Sequence, residues 1–418
     1  MGKGFSIAKH TTMWYNACVE NFWKDVVIMF SLLLAVIYLS FISLGLPDTL
    51  LGAGWPVMQG VFSVPLSYMG IITVIISLGT VVSSLFTDKA VSRLGTGLTT
   101  AISVGMTALA LLGFALANRF WMLCLLAVPY GLGAGAVDAA LNNYVALHYA
   151  SRHMNWLHAC WGIGATISPN IMGFALAKGL GYRAGYGFVS VIQCVLSIAL
   201  FCTLFLWKKP TGEGEEQVKP LSLKNAVRIP GVPWVILAFF AYCSVEGTAS
   251  TWAASYYVNA RNFSVVTAAS LASFGCLGLT VGRIISGFVS DKLGDRNMIR
   301  TGTAVMLFGA LIVAASPLYT YLAPVGLVLT GLGCAPVYPA IIHSTPFNFG
   351  KENSQSLVGI QMASAYMGFV LMPALFGVLA EVISIGVYPW YLAGLTVLLF
   401  IASERLNRTV DRCHAQKP

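Results

Sequence analysis

Deep in an apolar run from about residue 120 to 147 sits a single charged side chain, Asp138. A carboxylate at the centre of a bilayer-spanning helix costs about 3 kcal/mol unless it is paired, hydrated in an internal cavity or protonated. Crossing a membrane needs no acid there, so Asp138 marks a place where a proton can be gained and lost. The competing reading is a polar link that pins two helices together. Asn142 lies one helical turn further on and shares the face of Asp138, with Asn143 beside it. An acid and an amide on one stripe suit proton exchange and the holding of a polar solute. Asp48, near the end of the first apolar run, and Glu246, near the start of the seventh, are further acids within apolar segments. His158 and Trp161 share a face at i and i+3, as do Trp252 and Tyr256 at i and i+4. With Gln361 they complete the candidate solute contacts, and each has helix packing as its plain alternative. Arg283, eight residues before Asp291, reads as a long side chain reaching back to the nearby polar loop.

The elements that must position these residues are membrane helices. Of 418 residues, 57% are hydrophobic and 9% charged, against about 25% charged in soluble domains. Apolar runs lie near 26–50, 65–87, 98–117, 120–147, 153–177, 186–207, 232–258, 264–288, 299–316, 320–343, 354–380 and 384–403. Each approaches the roughly 20 residues that cross the hydrocarbon core as a helix. The expectation is an all-α, multi-pass membrane protein with twelve transmembrane helices. With the N-terminus in the cytoplasm, 19 of the 24 Lys and Arg fall on that side; only Arg119, Lys178, Arg183 and Arg261 lie in outer loops. That bias puts both termini in the cytoplasm. The net charge of +9 then describes one membrane face and gives no support to nucleic-acid binding.

A short pattern occurs twice. Asp88 and Lys89, followed by Arg93 and Gly95, come after the second run; Gly287, Asp291, Lys292, Gly294 and Arg296 come after the eighth. The two aspartates are 203 residues apart, close to half the chain. This is an internal duplication of two six-helix halves, 26–207 and 231–403. A polar linker at 208–230 joins them, and cytoplasmic segments at 1–25 and 404–418 flank them. The second copy fits at every position the loop motif Gly-x-x-x-Asp-(Arg/Lys)-x-Gly-x-(Arg/Lys) of the major facilitator superfamily, which this chain resembles. In the first copy Ser84 stands where the motif has glycine. The resemblance implies that Asp88, Lys89, Arg93, Gly287, Asp291, Lys292 and Arg296 form a cytoplasmic gate that latches against basic residues and helix ends.

Within the superfamily several stretches are similar to the fucose–galactose–glucose proton symporter group. They are Asp138 to Asn142, Asn155 to Pro169, Glu246 to Tyr256, and Gly333 to Pro339. The resemblance implies a cavity lined by spans 1, 4, 7 and 10, with proton coupling on Asp48 and Asp138. Glu246 is a third candidate, and Asn142, Asn143, His158, Trp161, Trp252, Tyr256 and Gln361 would contact the solute. The implied activity is secondary active transport of a sugar or sugar-like compound by proton symport, with sodium left open as the coupling ion. The expected setting is a monomer in the plasma membrane. Proton antiport of drugs or metabolites, and a transporter-like sensor, are the alternatives.

Motifs for enzyme chemistry are missing from the sequence: no Gly-rich phosphate loop, zinc-binding His pair or nucleophile elbow occurs. The reading is therefore not an enzyme, with no cofactor and no metal. Nine cysteines show no metal spacing and imply no disulfide framework. Met1 to Ser6 fits an N-myristoylation pattern that a chain with many spans does not need. Trp14, Phe22 and Trp23, with Lys9 and Lys24, suit a helix lying at the inner interface.

Overall fold

The computed structural model describes residues 32–65, 68–207, 221–263, 265–316 and 321–415. The acylation pattern, the candidate interfacial helix and most of the polar linker lie outside the described residues. The rest is helical. We label α1 (Leu32–Phe62), α4 (Phe120–His148), α5 (Ser151–Ala177), α6 (Gly181–Cys202), α7 (Val232–Asn259), α8 (Val265–Leu293) and α9 (Asp295–Ala315). The stretch Tyr68–Leu116 is continuous except at Gly95, whose φ of 78° and ψ of 161° are non-helical, so residues 68–94 form α2 and 96–116 form α3. The remaining helices are α10 (Leu322–Phe349), α11 (Lys351–Val382) and α12 (Tyr388–Ala415). Among the described residues, nine helical stretches are long and apolar enough to cross a membrane. Two of these, 68–116 and 351–415, each contain two of the helices labelled here, and α5, which carries Arg152, His153, Asn155 and His158, is not among the nine.

Several boundaries differ from the hydropathy reading. α1 does not stop near residue 50 but continues to Phe62 after a turn at Thr49, whose hydroxyl donates to the Ala165 carbonyl at 2.7 Å. Asp48 therefore lies within α1 and not at its end. Residues 88–94 and 291–293 are the last turns of α2 and α8, and not loops. Residues 404–415 continue α12, held to α9 by the pairs Arg300–Glu404 (2.6 Å) and Arg296–Asp411 (2.7 Å). Periodic apolarity ends where a helix leaves the hydrocarbon, whereas the backbone hydrogen-bond ladder runs on into water.

Close helix contacts fix the cavity walls. A Cβ on Gly45 would lie 2.1 Å from the Trp161 carbonyl oxygen, and one on Gly164 would lie 2.0 Å from that of Ile42, so α1 and α5 cross backbone to backbone. α4 is pressed equally closely against α2, since a Cβ on Gly131 would meet the Ile76 carbonyl oxygen at 2.2 Å and one on Gly135 that of Thr80 at 2.4 Å. These crossings need residues without side chains, and they bring Asp48, Asp138 and Trp161 to one space.

Candidate solute site and inter-helix latch

A cavity of about 400 Å³ lies between the helices that precede the linker and those that follow it, within the range of small-molecule sites. Asp138 is buried in its wall, with both carboxylate oxygens occupied. Tyr366 of α11 donates to Oδ2 at 2.6 Å, and Asn142 Nδ2 donates to Oδ1 at 2.7 Å. Because the Asn142 amide nitrogen is spent on Asp138, its oxygen must accept, and His158 Nε2 approaches that oxygen at 3.1 Å. With the amide in that orientation, a hydrogen bond between the two has His158 Nε2–H as its donor. Asp48 faces the open cavity and accepts from Trp161 Nε1 at 2.8 Å and from the Tyr130 hydroxyl at 3.2 Å. Tyr338, on the interrupted helix α10, stands edge-on to His158 with ring centroids 4.4 Å apart.

Arg283 departs from the sequence reading. It does not reach to the polar loop: it is 4% exposed and lines the cavity. Its guanidinium lies 3.6 Å from Glu246 and 5.2 Å from the Trp161 ring centroid, and it donates to the His158 carbonyl at 3.3 Å. The reason is the facing of α8, which turns Arg283 toward α5 and α7. At 1.5 Å of rise per residue, Asp291 lies about 12 Å further along α8, beyond the reach of the side chain.

Other candidate contacts lie elsewhere. Asn143, one residue and about 100° of helix rotation from Asn142, turns away from the cavity and bonds Ser354 (2.5 Å) and Gln355 (2.8 Å) of α11. Trp252 donates to the Pro373 carbonyl at 2.9 Å, and Tyr256 packs against Tyr257 and Tyr388. Gln361 is buried and accepts from Thr345 at 3.1 Å. None of these four lines the cavity; each satisfies a contact between helices. Sequence reasoning in turn missed Tyr130, Tyr338 and Tyr366, whose hydroxyls are hidden among 17 tyrosines in an aromatic-rich chain. Among the described residues, no group of three or more His, Cys, Asp or Glu is placed to hold a metal ion.

At the end of the bundle where the linker attaches, acids join the two groups of helices. Asp291 accepts from the Arg152 backbone N–H at 3.0 Å, in the first turn of α5, and pairs with the Arg152 side chain at 3.4 Å. A carboxylate there meets the positive end of the helix dipole. Gly287, one turn before it on the same face, leaves the space that Trp156 of α5 fills; a Cβ would lie 2.0 Å from its Nε1. Asp295 accepts from Ser151 at 2.7 Å and meets His343 Nδ1 at 2.7 Å, while His343 Nε2 lies 3.1 Å from the Tyr149 carbonyl oxygen. In the first copy Asp88 accepts from the Ser356 hydroxyl of α11. Ser84 has replaced the glycine on α2, and the slim residue is now Gly359 of α11, where a Cβ would meet the Ser84 carbonyl oxygen at 2.3 Å. Lys89 lies over the Phe86 ring at 5.1 Å, Arg93 and Lys292 are exposed, and Arg296 pairs with Asp411.

Comparison with known proteins agrees with this architecture. The family profile described as Major Facilitator Superfamily matches residues 37–327 and 276–409. A Saccharomyces cerevisiae protein described as bypass of stop codon protein 6 is 21% identical over 397 residues, covering 86% of this chain and 79% of its own. A Bacillus subtilis hexuronate transporter is 23% identical over 360 residues, covering 78% of this chain and 82% of its own. The structure of the E. coli fucose:proton symporter FucP superposes with a TM-score of 0.74 at 16% identity, over 90% of this chain and 98% of that one. The chain is an integral, multi-pass membrane protein that belongs to the Major Facilitator Superfamily, a transporter and not an enzyme.

Proposed function

We propose that this protein is a secondary active transporter of the plasma membrane that carries a small polar solute, a sugar or sugar-like compound, by proton symport with alternating access. In this reading α1 to α12 all span the bilayer. They form six-helix halves at 26–207 and 231–403, with the linker and both termini in the cytoplasm. The observation that carries the reading is the cavity between the halves, which has a hydrogen-bonded carboxylate, Asp138, buried in its wall and bonds between the halves at its linker end. Such a state admits solute from outside while the cytoplasmic end stays latched. Protonation of Asp138 removes a charge from the cavity and lets the loaded carrier reorient. An empty carrier with Asp138 ionised resists that step. Asp48 relays or shares the proton, Asn142 and His158 orient Asp138, and Trp161 offers its ring to the solute. The named functions of the hexuronate transporter and of the fucose:proton symporter support a sugar-like solute.

The test is uptake into proteoliposomes under an imposed, inside-alkaline pH gradient with sodium absent, using a panel of labelled sugars and sugar acids. Symport predicts accumulation that collapses with a protonophore. Extrusion against the same gradient would establish antiport, and movement that needs sodium would replace the proton.

A further inference from the structure

The groups around the cavity are unequally satisfied. Every carboxylate oxygen of Asp138 and Asp48 has a donor, from Tyr366, Asn142, Trp161 and Tyr130. Arg283 is the reverse case. Of its five N–H groups one makes a hydrogen bond, to the His158 carbonyl. Glu246 stands at 3.6 Å, an ion pair longer than a hydrogen bond, and Arg283 Nε is buried without a partner. A buried donor left unpaired is costly, and a guanidinium presents its donors as a planar fork matched to carboxylate geometry. The Trp161 ring lies 5.2 Å from that fork and holds it toward the cavity, while its Nε1 is bonded to Asp48.

We propose that Arg283 is the anion-binding residue of this cavity and that the transported solute carries a carboxylate, which makes it a sugar acid and not a neutral sugar. The solute carboxylate takes the open donors of Arg283, and Glu246 is the partner it displaces. Asp48, Asp138 and Glu246 already face this space together with His158, so a further negative charge enters only with a proton. The inference therefore rests on the cavity being the solute site of a proton symporter.

Matched ligands on the purified full chain separate the two ideas. The probes are glucuronate, galacturonate and hexanoate, each beside its uncharged amide, and glucose and galactose; binding is read by calorimetry at one pH. At least one sugar acid binds ten or more times more tightly than its amide and its parent sugar. In Arg283→Gln, and in the double variant Arg283→Gln/Glu246→Gln that strands no buried charge, the acid-to-amide ratio falls toward one. Arg283→Lys, which keeps the charge without the fork, gives an intermediate ratio. If sugars or amides bind as tightly as the acids, the carboxylate inference is overturned and the sugar-like reading stands. Hexanoate bound in preference to hexanamide, with no carbohydrate bound, keeps the role of Arg283 and overturns the sugar-like reading. A ratio that survives in the double variant moves the anion site off Arg283, and binding of none of the probes overturns both readings.

Discussion

The carboxylates of the cavity and those of the linker end are the same chemical group in opposite settings. Asp138 and Asp48 accept only from neutral donors, namely a tyrosine and an asparagine in one case and a tryptophan and a tyrosine in the other. Neutral donors hold a carboxyl in place in either protonation state, since a tyrosine hydroxyl can donate to the ion or accept from the acid. Asp291 instead meets the N-terminus of α5 and its arginine on the opposite group of helices. Asp295 holds Ser151 of that group and His343 of its own, whose other ring nitrogen lies 3.1 Å from the Tyr149 carbonyl oxygen across the boundary. Positive partners favour the ion and tie one group of helices to the other. The first setting suits a group that exchanges a proton, and the second suits one that makes and breaks a latch.

Removing the exchangeable proton is the sharpest way to break this comparison. Asp138→Asn keeps an oxygen acceptor for Tyr366 but cannot ionise. Gradient-driven accumulation in proteoliposomes should drop at least 100-fold, while exchange of solute between two equal pools persists. In the proposed symport, proton and solute bind together and linkage is reciprocal, so wild-type affinity should also fall as pH rises; the variant should be flat. Undiminished accumulation in Asp138→Asn would move coupling to Asp48 or Glu246.

The latch should respond in a different observable, the balance between open and closed linker ends. Spin labels at Arg93→Cys and Lys351→Cys, both exposed on opposite groups of helices, report that balance as a distance distribution. Asp291→Ala removes the acceptor at the start of α5, a change of about 0.5–2 kcal/mol for helix caps. At 1.4 kcal/mol per factor of ten, the ratio of closed to open should fall by about 2-fold to 25-fold, with solute affinity little changed. Asp291→Asn, which still accepts from the Arg152 N–H, should recover part of the shift.

Asp295→Asn retains an acceptor for Ser151 and loses only the charged contact with His343. That pair joins α9 to α10 on one side of the boundary and reaches the opposite group only through His343 Nε2 and the Tyr149 carbonyl. At about 1 kcal/mol for that one hydrogen bond, a shift of about fivefold or smaller is expected in the same distance measurement. Asp88→Ala comes last. It loses one hydroxyl partner, Ser356, at about 1 kcal/mol for a typical hydrogen bond, and a shift of a few-fold is the upper expectation. An Asp88 effect larger than that of Asp291 would reverse the ranking of the two copies and show that the degraded copy carries the latch.

Much of this arrangement is legible in the residues themselves. Hydropathy marks the helices because a bilayer demands about twenty apolar residues wherever a chain crosses it. The lone acid at Asp138 stands out because its burial is expensive, and the repeat of Asp88 at Asp291 is legible because a duplication leaves matching positions. Side-chain partners are another matter. Asn142 and Asn143 are adjacent and alike, yet helix rotation sends one to Asp138 and the other to Ser354, 211 residues away. Arg283 looks in sequence like a neighbour of Asp291. Only the packing of α8 against α5 and α7 turns it to Glu246 and Trp161. The tyrosines that hold the two acids carry no signal, because an aromatic ring in an apolar helix reads as packing until its hydroxyl is seen to meet a carboxylate. Sequence determines which residues must be inside the membrane; tertiary structure alone decides which of them face one another, since that depends on how helices distant along the chain are rotated and how closely their glycines let them approach.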